Sequence, residues 1–151
     1  MSRSLGHRLP DALVALLSGA PVEEGSAIVL ATVDVAGRPH FALLSTAEVA
    51  ALGAERVRLG TYGASGTSGN LRERGAYGLC IVERGHVYYV KGRATELPGV
   101  ASHPGIARFE GTVEEVLVDA TSAAEGEAEV TSGITFRRHH PSAPLGDMLR
   151  A

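Results

Sequence analysis

The feature that most constrains this chain is its rhythm: short apolar runs, each closed by a turn that carries glycine. Residues 26–34, SAIVLATVD, are continuous in apolar character and β-branched, as a buried strand is. The turn Val35-Ala36-Gly37 leads into 38–46, RPHFALLST, and strand, glycine turn, strand is a hairpin. Residues 56–62, RVRLGTY, alternate arginine with apolar residues in the period of a half-buried strand. Residues 76–83, AYGLCIVE, form another strand, Arg84-Gly85 a tight turn, and HVYYVKGRATEL the hairpin partner. A long strand is expected from Ile106 to Val118 with an irregularity at Gly111, and a last strand across 130–138. Helices are few. Residues 10–19, PDALVALLSG, carry leucines at helical spacing and stop at Gly19 and Pro21. Residues around Asn70–Arg74 form a second, 47–55 reads as a helical turn or loop, and the C-terminus ends in one helical turn. The fold class is therefore mainly β: a β-barrel with a few short helices, in one domain over residues 1–151. Closing the barrel removes the exposed edges that a strand-rich chain otherwise presents.

Composition excludes several functions. With 44% hydrophobic and 21% charged residues, 151 residues bury a core without staples. No apolar run approaches the ~20 residues of a membrane span, and the N-terminal apolar stretch reads as a first helix rather than a signal peptide. A cytoplasmic location is expected, and no membrane partner. Cys80 stands alone, so neither a disulfide nor a multi-cysteine metal site is available. In its strand pattern it behaves as a small buried hydrophobe. A net charge of −3, no Trp and only seven aromatic residues argue against nucleic acid as a partner. Lys91 is the sole lysine, and no G-K-[ST] occurs, which removes a P-loop. On its strand Lys91 reads as a solvated residue.

One segment carries chemistry. In Leu59-Gly-Thr-Tyr-Gly-Ala-Ser-Gly-Thr-Ser-Gly-Asn-Leu71 a strand ends, a loop of small residues follows and a helix begins. Free amides of such a loop and the positive end of the helix dipole favour an anion. Thr61, Ser65, Thr67 and Ser68 add hydroxyls, and the glycines admit a phosphate close to the backbone. The same spacing also describes a plain polar loop with a helix cap at Ser68.

The order of these segments resembles the pyridoxamine 5′-phosphate oxidase-like family of FMN-binding split β-barrels. The matching pieces are the first helix, then AIVLATVDVAGRPHFALLS, VRLGTYGASGTSGNLRERGAYGLCIV and HVYYVKGRATEL, over roughly residues 10–118. The resemblance implies a split β-barrel of the FMN-binding type. It also implies a homodimer whose flavin lies between subunits, with FMN as cofactor and a small-molecule substrate. Carried over by position, Thr61, Tyr62, Ser65, Gly66, Thr67 and Asn70 fall on the phosphate loop. The strand His40 to Ser45, with Leu43 and Leu44, runs beside the flavin ring, and its backbone donors tune the ring's electron-accepting edge. His86 and Tyr88 begin a strand that approaches the flavin from the partner subunit. The chain departs from the family at Gly66-Thr67, where FMN binders carry Arg or Lys after the loop serine. Arg38, Arg56, Arg58, Arg72 and Arg74 are the candidates to compensate, Arg58 best by strand position and Arg72 by nearness to the loop.

The function implied is an FMN-dependent oxidoreductase. The alternative is a non-catalytic binding protein on the same barrel, its groove holding haem, a deazaflavin or nothing. Pyridoxamine-phosphate oxidation itself is disfavoured, because the tail offers chiefly Arg137, Arg138, His139 and His140 for a second phosphate site. Neighbouring His139 and His140 point opposite ways on a strand, so no metal site is expected there. His7, His40, His86 and His103 complete the histidines, with His40 set on the flavin-side strand. The acids from Glu110 to Glu129 (Glu114, Glu115, Asp119, Glu125 and Glu127 between them) read as a solvated face.

Overall fold

The computed structural model describes residues 1–119, 126–141 and 144–151. Its centre is a curled antiparallel sheet that forms a half-barrel. In chain order the strands are β1 (Ser2–Ser4), β2 (Glu24–Ser26), β3 (Ile28–Val33), β4 (Pro39–Leu44), β5 (Val49–Ala51), β6 (Arg56–Tyr62), β7 (Ala76–Glu83), β8 (His86–Leu97), β9 (Ile106–Asp119) and β10 (Thr135–Arg137). The helices are α1 (Asp11–Leu16), α2 (Gly66–Arg74) and α3 (Gly146–Arg150). The sheet runs β4-β3-β7-β8-β9-β6-β5, with β1 also on β9, while β10 and β2 form a separate ribbon.

Side-chain alternation sorts the sheet into two faces. The pairings align Leu30, Leu79, Val90 and Val116 across four strands, and all four are buried. With Leu13, Leu17, Leu59 and Phe109 they fill the inside of the curl. One residue along, the outward row is Leu43, Val29, Cys80, Tyr89 and Leu117.

Strands β6, β7 and β8 span the expected residues, because their patterns are local. Elsewhere tertiary contacts overrode local preference. The alanine-rich 47–55 forms β5, which pairs with β6. It also exchanges hydrogen bonds with the residues that follow α1: Ala51 N donates to Leu17 O at 2.7 Å and Gly19 N to Val49 O at 3.0 Å. Those bonds draw the backbone out of helix, so α1 stops at Leu16 rather than reaching Gly19. The irregularity expected at Gly111 lies instead opposite Lys91 and Gly92, where the register jumps from Glu115 to Val113 and leaves Glu114 as a bulge. Gly111 pairs regularly with Ala94, and its missing side chain makes room for a ring: a Cβ there would lie 2.8 Å from Tyr77. The last strand is β10 alone, three residues against the unanticipated β2. Cys80 is half-buried on the outer face rather than in the core, and desolvation pushes its thiol pKa up. Lys91 is exposed and paired with Glu115 at 3.0 Å. Among the described residues no helix is long and apolar enough to cross a membrane. Glu125 lies outside the described residues.

Candidate functional site

A cleft of ≈ 470 Å³ opens between the outer part of β4, the end of β6, the first turn of α2 and the C-terminal segment. Its polar end is built by one serine. Ser65 is the N-cap of α2, its Oγ accepting from Ser68 N at 3.2 Å, so the cap is Ser65 and not Ser68. That bond starts the helix at Gly66, four residues before Asn70, despite two glycines in the first turns. Gly75, with φ 73°, closes the helix in the left-handed region that favours glycine. The Ser65 hydroxyl donates to Tyr62 O at 2.7 Å, as Ser68 Oγ does at 2.6 Å, and Thr61 Oγ1 lies 2.6 Å from Ser68 Oγ. These hydroxyls are spent on folding the loop. What remains free among the described residues is the amides of Gly66 and Thr67 and the Thr67 hydroxyl.

Of the residues singled out from the sequence, Leu43, Leu44, Thr61, Tyr62, Ser65 and Thr67 line the cleft. His40 stands at the start of α2, its imidazole about 3.7 Å from where a Gly66 side chain would begin. A histidine thus sits beside the position where a basic residue was expected. Ser45 lies at the other end of β4, its amide donating to Glu48 Oε2 at 2.7 Å and its hydroxyl bonded to the same carboxylate.

Other residues point elsewhere. Asn70 is buried and donates to Thr32 Oγ1 at 3.1 Å, tying α2 to β3. Arg58 reaches Glu110 at 2.9 Å and Leu149 O at 2.8 Å, where its charge favours the carbonyl end of α3. Arg72 grips Glu96 through two bonds of 2.7 and 2.8 Å and holds Gly63 O at 2.8 Å. The hydrogen bond between them raises the Arg72 pKa and lowers that of Glu96. Neither guanidinium lines the cleft. His86 and Tyr88 stack at 6.0 Å between ring centroids at the start of β8, away from this cleft.

The cleft also holds residues that the sequence did not single out there. Glu48, His103, Ile106, Arg138, His140 and Leu145 complete its walls. Three of them, Arg138, His140 and Leu145, come from the C-terminal part of the chain, and Arg138 is brought to the cleft because β10 pairs with β2 and Arg138 N donates to Glu23 O at 2.8 Å. Leu145, the N-cap of α3, lines the floor, and with Leu149 it packs against Gly60, where a Cβ would lie 3.2 Å from Leu149. The wall between the two ends is apolar, made of Ala42, Leu44, Ala47, Ile106 and Leu145. Among the described residues no group of three metal-ligating side chains converges. The cleft thus offers free amides at one end, an apolar wall, and an arginine–carboxylate pair at the other.

Comparison with known proteins gives this geometry relatives. No family model matches the chain. The uncharacterized protein YclD of Bacillus subtilis (strain 168) is 30% identical over 140 residues, covering 91% of this chain and 88% of YclD. A Lactobacillus delbrueckii protein provisionally assigned as a pyridoxamine 5′-phosphate oxidase superposes with a TM-score of 0.61 at 16% identity, over 76% of this chain and 98% of that one. An FMN-binding protein of Syntrophomonas wolfei gives 0.57 at 15% identity, over 72% and 84%. An F420 reductase gives 0.51 at 17% identity, over 71% and 95%.

Proposed function

We propose, for a chain that belongs to the family of YclD and has the fold of the pyridoxamine 5′-phosphate oxidase-like split barrels, that the cleft binds FMN and the protein is a flavin-dependent oxidoreductase. The observation that carries this reading is the division of the cleft. At its polar end the Thr67 amide and hydroxyl suit a phosphate, and the Gly66 amide and the His40 imidazole adjoin that end. The apolar wall along Ala42, Leu44, Ile106 and Leu145 suits a flat ring. The residues fit the group in size and chemistry, with His40 in place of the usual arginine or lysine. When bound, the flavin supplies hydride or electron transfer to a small molecule. The protein binds it, orients it on β4 and excludes water with Arg138, His140, Pro141 and Leu145.

The reading includes a homodimer. Leu43, Val29, Cys80, Tyr89 and Leu117 form an apolar row across five strands on the outer face, and Phe41 beside it is 66% exposed. Contiguous apolar surface of this kind marks an interface. Because Leu43 belongs to both that row and the cleft wall, a second copy docked there closes the cleft.

The test is an absorption spectrum of the purified protein followed by titration with FMN. Flavin bands and saturable uptake are the expected result, and a protein that takes up no FMN refutes the reading. A second reading, a haem-binding protein on the same barrel, draws on His103 and His140, which line the cleft from separate segments. Under it, His103→Ala or His140→Ala abolishes a haem Soret band.

A further inference from the structure

We infer that Arg138 is the residue that sets how readily the bound flavin is reduced, an inference that rests on the FMN reading above. Strand β4 runs along the cleft, which Ala42, Leu43 and Leu44 line. His40 marks the phosphate end, beside Gly66, and Ser45 follows the last residue of the strand. Five residues of extended chain separate them by about 16 Å. Arg138 is bound at the Ser45 end, its Nη2 2.7 Å from Ser45 Oγ. It is too far along the strand to meet a phosphate held at Thr67, and it would lie beside a ring seated against the apolar wall.

The side chain is held firmly. Its Nε donates to Val22 O at 3.3 Å and its guanidinium lies 5.2 Å from the Phe136 ring centre. Nη1 makes no hydrogen bond among the described residues, and the side chain is 24% exposed, within the cleft wall. Reduction of an oxidised flavin adds two electrons and one proton, leaving the ring with one net negative charge above neutral pH. A fixed cation beside the ring binds that anion better than the neutral oxidised form, which raises the reduction potential. Glu48 acts in the opposite sense. Its Oε1 lies 3.8 Å from Nη2, and its other oxygen is occupied by Ser45. The potential is set by the balance of these two charges, one from β10's trailing residue and one from the turn before β5.

The test is the reduction potential of the FMN-loaded protein at pH 8, with dithionite as electron donor and a reference dye. Arg138→Gln binds reduced flavin about tenfold more weakly relative to oxidised flavin, which lowers the potential by about 30 mV for a two-electron couple. Glu48→Gln raises it, and Arg138→Lys stays near the wild type. A merely structural role for Arg138 weakens both redox forms alike and leaves the potential unmoved, and that result overturns the inference alone. Failure of the wild-type protein to take up FMN removes the inference together with the reading it rests on.

Discussion

Replacing Ser65 with alanine separates the two jobs of the loop before α2. The substitution removes the N-cap bond to Ser68 N and the donor to Tyr62 O. Loss of a serine cap costs about 1 kcal/mol. The second bond adds up to about 1 kcal/mol, reduced because Ser68 Oγ still donates to Tyr62 O. The sum, about 1–2 kcal/mol, corresponds to a drop in Tm of about 2–8 °C for a chain of this size. Thr67→Val is the control. Its hydroxyl is not part of the cap network, so stability changes little while a donor to the phosphate is lost. At about 1 kcal/mol for that bond, FMN affinity falls about fivefold. The Ser65→Ala/Thr67→Ala double variant should therefore melt earlier and bind FMN about fivefold more weakly. Thermal unfolding followed by circular dichroism and quenching of FMN fluorescence measure the two effects. An unchanged Tm in Ser65→Ala refutes the capping argument, and unchanged affinity in Thr67→Val refutes the phosphate assignment.

Other perturbations probe the rest of the structure. Gly111→Ala pushes a Cβ to within 3.0 Å of three Tyr77 ring and hydroxyl atoms, and overpacking of this kind costs about 1–3 kcal/mol, read as a lower denaturant midpoint. Arg58→Gln releases the carbonyl end of α3 and loosens the cleft floor, so proteolysis near residue 146 should accelerate. Phe41→Glu with Leu43→Glu places charge on the outer row and should give monomers in sedimentation at concentrations where the wild type is dimeric; a wild type that is itself monomeric rejects the interface. The Glu96 pKa is lowered by its hydrogen bond from Arg72, so the folded carboxylate binds its proton less tightly than the unfolded one. Its contribution is present above the ordinary carboxylate range and lost as pH falls through it. Being an exposed surface pair, it contributes little. Glu96→Gln should therefore lower stability at pH 7 and converge with the wild type as pH falls below the ordinary carboxylate range, read in urea melts.

Much of this protein is written locally. The hairpin of β7 and β8, the alternation of β6 and the strand–loop–helix run from Leu59 to Leu71 are set by neighbours within a few residues, because side-chain period and turn chemistry act at that range. The same local information located the loop hydroxyls of the cleft. It could not say which of them remain free, since Ser65 and Ser68 both turn back to Tyr62. Nor could it place Arg58 and Arg72, whose partners Glu110 and Glu96 lie on other strands. The largest addition made by the tertiary structure is the C-terminal segment. Arg138 meets Ser45 across 93 residues of chain, and Arg58 meets Leu149 across 91. No periodicity in HHPSAPLGDMLRA announces those contacts. They exist because β10 finds β2, and because α3 buries Met148 and Leu149 beside β5 and β6. The barrel is thus a consequence of local pattern, whereas the far wall of its cleft is made by segments that meet only once the barrel has curled.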